Sequence, residues 1–167
     1  MQEIYLENIR EIVRSKSKLE KELGIKVYNK GKNIFVKGSP EKEFTALQVM
    51  EAIKNGFSAE RALKLKQENF MIQKIKIKSV TKRNDLSRIK ARLIGTKGKT
   101  LRTLKNLTEC DFAVNDNEIG IIGPIEEIEE AVQAVTSLIH GSKQGNVYSR
   151  LEKNRKKRRD FIGEVNY

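Results

Sequence analysis

Arg92 to Leu104 reads RLIGTKGKTLRTL, and the glycines at 95 and 98 interrupt a segment that otherwise keeps helical spacing through Leu93, Ile94, Leu101 and Leu104. Glycine inside a helix costs about 1 kcal/mol relative to alanine, so a close pair needs a positional reason. Two reasons are available. Gly95 can cap a helix ending at Leu93 and Ile94 while Gly98 opens a second helix through Leu101, Leu104 and Leu107. Alternatively, backbone bare of side chains lets another molecule approach. Lys90, Arg92, Lys97, Lys99, Arg102 and Lys105 crowd both sides, and the nearest acids, Asp85 and Glu109, stand outside. Amide donors at a helix start, ringed by cations, suit phosphate.

Working outward, FMIQKIKIKSV (70–80) carries Ile72, Ile75 and Ile77 and predicts a strand. Helical NDLSRIKARLIG and KGKTLRTLKNLTE follow, then strands CDFAVND and EIGIIG, then the helix PIEEIEEAVQAVTSLIHG. The first half repeats this order. QEIYL is a short strand, and ENIREIVRSKSKLEKEL places Ile9, Ile12, Val13, Leu19 and Leu23 at helical spacings before Gly24 ends it. IKVYN, the turn KGK and NIFVKG make a hairpin, and SPEKEFTALQVMEAIKNG is a helix with Ser39 as cap and Pro40 at its first position. The expected fold class is α+β: two units of roughly 70 residues, each strand, helix, helix, strand, strand, helix, with helices on one face of a three-stranded antiparallel sheet. The expected boundaries are a first unit at 1–57, a structured linker helix at 58–70 capped by Ser58, a second unit at 71–141, and a docked segment with a basic helical tail at 142–167.

The 167 residues carry 34 lysines and arginines against 22 acids, a net charge of +12, which points to a polyanionic partner. Cys110 is the single cysteine, so an internal disulfide and a multi-cysteine zinc site are excluded, and a reducing cytosol fits. The opening MQEIYLENIR lacks an apolar signal core and no later run is long enough to span a bilayer; a cytoplasmic protein with no membrane partner is expected. Asp111, Asp116 and Glu118 fall in a strand and around a hairpin turn, where acids are ordinary. His140, the one histidine, sits at a helix end. With no histidine pair, activated nucleophile or Walker loop, no catalytic residue, metal or cofactor is expected, and the chain reads as a non-enzyme.

Within this strand and helix order, LIGTKGKTL resembles the Ile-Gly-x-x-Gly loop of type I KH domains. The closing segment GSKQGNVYSRLEKNRKKRRDF (141–161) adds Gly-x-x-x-Gly-x-Val-Tyr, then Leu-Glu-Lys and a basic helix. Together they resemble the archaeal and eukaryotic two-KH small-subunit ribosome assembly factors, over nearly the whole chain and best from Leu93 to Arg159. The resemblance implies two tandem type I KH domains and single-stranded RNA as ligand, specifically the 3′-terminal region of small-subunit rRNA. It implies as partners the Nob endonuclease that matures that end and the pre-small-subunit particle. The first unit departs from the pattern. REIVRSKSKLEK keeps Arg10, Arg14, Lys16 and Lys18, but no glycine occurs from Met1 to Leu23, so a degenerate unit serving packing or protein contact is expected.

By the same resemblance, the Gly95–Gly98 loop clamps the backbone of about four unpaired nucleotides. Thr96 and Lys97 reach phosphate oxygens, Ile94 and Leu101 floor the base groove, and Lys90, Arg92, Lys99 and Arg102 surround it. The strand edge from Cys110 to Val114 offers backbone groups to bases, while Phe112 reads as core. Arg150, Lys153, Arg155, Lys156, Lys157, Arg158 and Arg159 form a second RNA contact on the tail, which Val147 and Tyr148 dock. Two alternatives stay open: a KH subunit or scaffold of an RNA degradation or translation complex, and single-stranded DNA binding.

Overall fold

The computed structural model describes residues 1–165, with side chains through Gly163; the last two residues of the expected tail lie outside the described residues. The chain divides into two compact units, residues 1–72 and 73 onward.

The first unit runs β1 (Gln2–Tyr5), α1 (Arg10–Arg14), α2 (Lys16–Leu23), β2 (Lys26–Lys30), β3 (Asn33–Lys37), α3 (Pro40–Lys54) and α4 (Ala59–Ala62), which continues as a 3-10 turn, Leu63–Lys66. Its sheet is antiparallel in the order β1-β3-β2. Alternation decides the faces: Ile4, Val27, Ile34 and Val36 are buried, and Leu19, Val49 and Met50 are buried with them in the core. The Ser39 hydroxyl accepts from the Lys42 amide at 3.4 Å with Pro40 following it, and Gly24 ends α2 at φ 64°. The helical stretch of the first half is bent at Ser15 and not opened into a loop. The Ser15 amide donates to Glu11 O at 3.0 Å and the Leu19 amide to Ser15 O at 2.9 Å, so helical bonding passes through the bend. Ser58 caps α4 as its position predicts, and the Ala59 amide donates to the Glu11 carboxylate at 2.8 Å.

The second unit runs β4 (Phe70–Lys76), whose first three residues fall before the division, α5 (Ile77–Val80), α6 (Leu86–Ile94), α7 (Lys99–Thr108), β5 (Asp111–Asn115), β6 (Glu118–Pro124), α8 (Ile125–Ile139) and α9 (Gln144–Val165). Its sheet order is β4-β6-β5, which leaves β5 at an edge. One expectation is corrected: the strand predicted through Val80 stops at Lys76. Asn117, in the β5–β6 turn, takes the Ile77 amide on its carbonyl at 2.8 Å and the Lys78 amide on its side chain at 3.0 Å, turning the chain into α5. Leu93, Leu104, Ile119, Ile121 and Leu138 fill the core, and Phe112, opposite Ile121, belongs to it. A Cβ on Gly123 would fall 3.1 Å from the Cβ of Cys110, so this glycine admits the buried cysteine. Burial pushes the Cys110 thiol up to about 11, which leaves it protonated and unreactive at neutral pH.

The tail is one helix. Val147 and Leu151 on α9 are buried, and the helix packs on α7 and α8. Among the described residues, no helix is long and apolar enough to cross a membrane.

Candidate nucleic-acid interface

The turn between α6 and α7 is built from three left-handed residues in four: Gly95 at φ 76°, Lys97 at φ 54° and Gly98 at φ 74°. Each glycine has its own reason. A Cβ on Gly95 would lie 2.7 Å from the Thr100 amide nitrogen and closer still to the Thr100 hydroxyl, so the residue is required by space as well as by φ. At Gly98 the nearest neighbour of such a Cβ is Arg102 Nη1 at 3.7 Å. That position is open, and only its φ and whatever comes from outside constrain it. The left-handed turn at Lys97 is held by Arg102, whose Nη1 donates to Lys97 O at 2.7 Å. The result is a fixed bend with the side chains of Thr96, Lys97 and Lys99 exposed at the start of α7.

Three residues outside the expected set, Gln144, Thr100 and Ser142, help to hold this bend. Gln144, the first residue of α9, donates from Nε2 to Thr100 Oγ1 at 3.1 Å and to Arg92 O at 3.3 Å. Arg92 returns the tie by donating from its guanidinium to Ser142 O. The hydroxyl that excludes a side chain from Gly95 is therefore anchored by the C-terminal helix. Gln144 lies inside the GSKQGNV segment, but its contact with Thr100, 44 positions away, has no local signature.

The expected site residues divide into groups. Gly95, Thr96, Lys97, Gly98, Lys99 and Arg102 are together at the bend. Lys90, Ile94 and Leu101 are half-buried beside it. On α9, Arg150 donates to Ser137 Oγ at 3.2 Å, Arg155 to Asn106 O at 2.9 Å, and Arg158 to Glu127 and, at 3.0 Å, to Glu130. These arginines fasten the helix to α7 and α8. Lys153, Lys156, Lys157 and Arg159 are exposed on its other side. Lys105 forms an ion pair with the buried Asp111 at 3.0 Å, so it neutralises a carboxylate at the start of the edge strand.

The first unit offers a contrast at equivalent positions. The Gly24 amide closes α2 on Glu20 O just as the Glu109 amide closes α7 on Lys105 O, so Glu20 stands where the second unit has Lys105. The Glu20 carboxylate accepts the Val27 amide on edge strand β2 at 3.1 Å. That bond occupies a backbone donor of β2 and sets an anion at this strand, in a unit that also lacks the glycine turn. Among the described residues, no cluster of His, Cys, Asp and Glu could hold a metal ion.

The geometry agrees with comparison to known proteins. A family model for the second KH domain of PNO1, described as a eukaryotic-type (type I) KH domain, matches residues 69–156. A KH domain-containing protein of Methanocaldococcus jannaschii is 31% identical over 149 residues, covering 85% of this chain and 66% of that protein. The pre-rRNA-processing protein PNO1 of Debaryomyces hansenii is 34% identical over 105 residues, 61% of this chain and 41% of that one. The chain thus spans less than two-thirds of the length of these curated relatives. Among solved structures, the a/eIF2alpha–aDim2p–rRNA complex from Pyrococcus horikoshii OT3 matches with TM-score 0.81 and 25% identity, covering 93% of this chain and 94% of that chain. With the glycine turn, the repeated strand and helix order and these matches in agreement, the chain belongs to the PNO1/Dim2 family of KH-domain proteins.

Proposed function

We propose that this protein binds single-stranded RNA through the α6–α7 turn and acts in small-subunit ribosome assembly as a cytoplasmic, non-catalytic factor. The observation that carries the reading is the turn itself: a locked left-handed bend, glycine where an incoming backbone would lie, and cations at the start of α7. Such a bend grips about four nucleotides by their backbone and leaves the bases to the apolar groove beside it. Ile94 and Leu101 border that groove, and β5, an edge strand, is where base edges would meet backbone groups. The names of the relatives supply the context: one is a pre-rRNA-processing protein, and another was solved with rRNA.

The ligand in this reading is the 3′-terminal region of small-subunit rRNA, and the protein partner is the endonuclease that matures that end. A clamp without a catalytic cluster influences cleavage by positioning or shielding the strand. The exposed lysines of α9 extend the RNA contact. The α1–α2 face of the first unit, with Arg14 and Lys16, meets protein. Crosslinking the protein to RNA in purified pre-small-subunit particles tests the reading. Crosslinks from the 94–102 segment to the 3′-terminal rRNA are expected, and crosslinks confined to other RNAs or to internal duplex regions would overturn it.

A further inference from the structure

The sheet of the first unit has one face packed on helices and one face open. Because Ile34 and Val36 point into the core, Asn33, Phe35 and Lys37 on β3 point the other way. The register fixes their neighbours: Tyr28 and Glu3 flank Phe35, Lys26 lies beside Lys37, and Lys30 and Tyr5 flank Asn33. Three aromatic rings therefore share the open face. Tyr5 is 48% and Tyr28 51% exposed, and Phe35 between the other strands is half-buried. Strand propensity and the Tyr28–Phe35 cross-strand pair account for part of this, and three rings on one open face also make an exposed aromatic patch of the kind that marks a binding surface. The charge around them is net positive, although the Tyr5 hydroxyl donates to Glu7, itself paired with Lys32. Lys26, Lys30 and Lys37 are exposed against one strand acid on the face, Glu3, which keeps its charge while accepting from Asn33 Nδ2 at 2.7 Å. In the second unit every residue of β6 from Ile119 to Gly123 is buried, so both faces of that strand are covered and it offers no comparable open face.

We infer that this open face, centred on Tyr28, Phe35 and Tyr5, is a second single-stranded RNA contact, stacking bases on the rings while Lys26, Lys30 and Lys37 meet phosphates. It rests on the reading that the protein is an RNA binder, but it is independent of the glycine turn. Aromatic faces interleaved with cations are the common equipment of sequence-tolerant single-strand binding, because every base has a π face. The charge argues against the other occupants. A second copy seated on this face would bring two sets of three lysines together, and lysine is depleted where proteins dock on one another. In this inference the first unit, whose β2 edge has its Val27 amide taken by Glu20, presents the open face of the same sheet to RNA.

The experiment uses the full chain and a short oligouridine carrying 5-iodouridine. Photocrosslinks mapped by mass spectrometry are expected at Tyr5, Tyr28 or Phe35, in addition to any in the second unit. The double variant Tyr5→Ala, Tyr28→Ala, with its fold checked by circular dichroism, is expected to bind the oligomer roughly tenfold more weakly. Tyr5→Phe with Tyr28→Phe should bind as the parent does, since rings and not hydroxyls carry the contact. Unchanged affinity in the alanine variant, or crosslinks absent from residues 2–37, would overturn the inference. So would a dimer that the alanine changes dissociate, or loss of a protein partner with RNA binding intact. Loss of binding in a turn variant alone sinks this inference and leaves the proposed function standing; a parent protein that binds no RNA at all sinks the proposed function itself.

Discussion

Gly95 and Gly98 are the same residue type in the same turn, yet they answer to different constraints. Alanine at 95 must adopt φ 76° and also place a methyl against the Thr100 amide and hydroxyl. Alanine at 98 faces only the first problem, with open space around its methyl. Gly95→Ala is therefore expected to cost about 2–4 kcal/mol of stability, combining backbone strain and overpacking, and Gly98→Ala about 1–2 kcal/mol. Urea denaturation of both variants reads the difference directly. Equal losses would mean that the Thr100 contact yields freely and Gly95 is needed for φ alone. Sequence spacing marks the two glycines as a pair and says nothing of this asymmetry, because the closeness of Thr100 to Gly95 is set by how the turn folds back on α7, with the Thr100 hydroxyl held by Gln144 from another helix.

Helix α9 does two jobs with one kind of residue. Its inward stripe, Val147, Leu151 and Arg158, packs on the domain, and Arg158 reaches Glu127 and Glu130 at the far end of α8. Its outward stripe leaves Lys153, Lys156 and Lys157 exposed. A run of basic residues read as a string cannot be sorted this way; the sorting follows from which positions face α7 and α8. Arg158→Ala should destabilise the protein by about 1 kcal/mol, modest because the pair is partly solvated, and should leave RNA affinity nearly unchanged. Replacing Lys153, Lys156 and Lys157 with alanine should do the reverse. Each phosphate contact contributes about −0.7 to the slope of log affinity against log salt on a single strand, so the triple variant should flatten that slope by about 2. A slope identical to the parent's would show that these lysines are solvated and touch no RNA.

For the whole molecule, the repeated order of elements was legible because alternation, helical spacing and caps such as Ser39 and Ser58 are local signals. Less legible was everything settled across the fold. Asn117 cuts β4 short at Lys76, Ser15 bends a helix without breaking it, and Glu20 closes an edge that its own neighbourhood in sequence does not mark. The unequal halves follow from those contacts: one unit carries a locked glycine turn with cations, the other a continuous helical bend with an anion at the matching edge. If phosphate is held at that turn, the double variant Thr96→Asp, Lys97→Asp must weaken its grip. Both side chains are exposed, and aspartate tolerates the left-handed backbone at 97, so melting temperature should stay near the parent's. Titrated against single-stranded RNA from the 3′ end of small-subunit rRNA, the variant is predicted to bind at least about tenfold more weakly, since two anions replace a donor and a cation at the phosphate. A folded variant that binds this RNA as tightly as the parent would show that phosphate is not held at the turn.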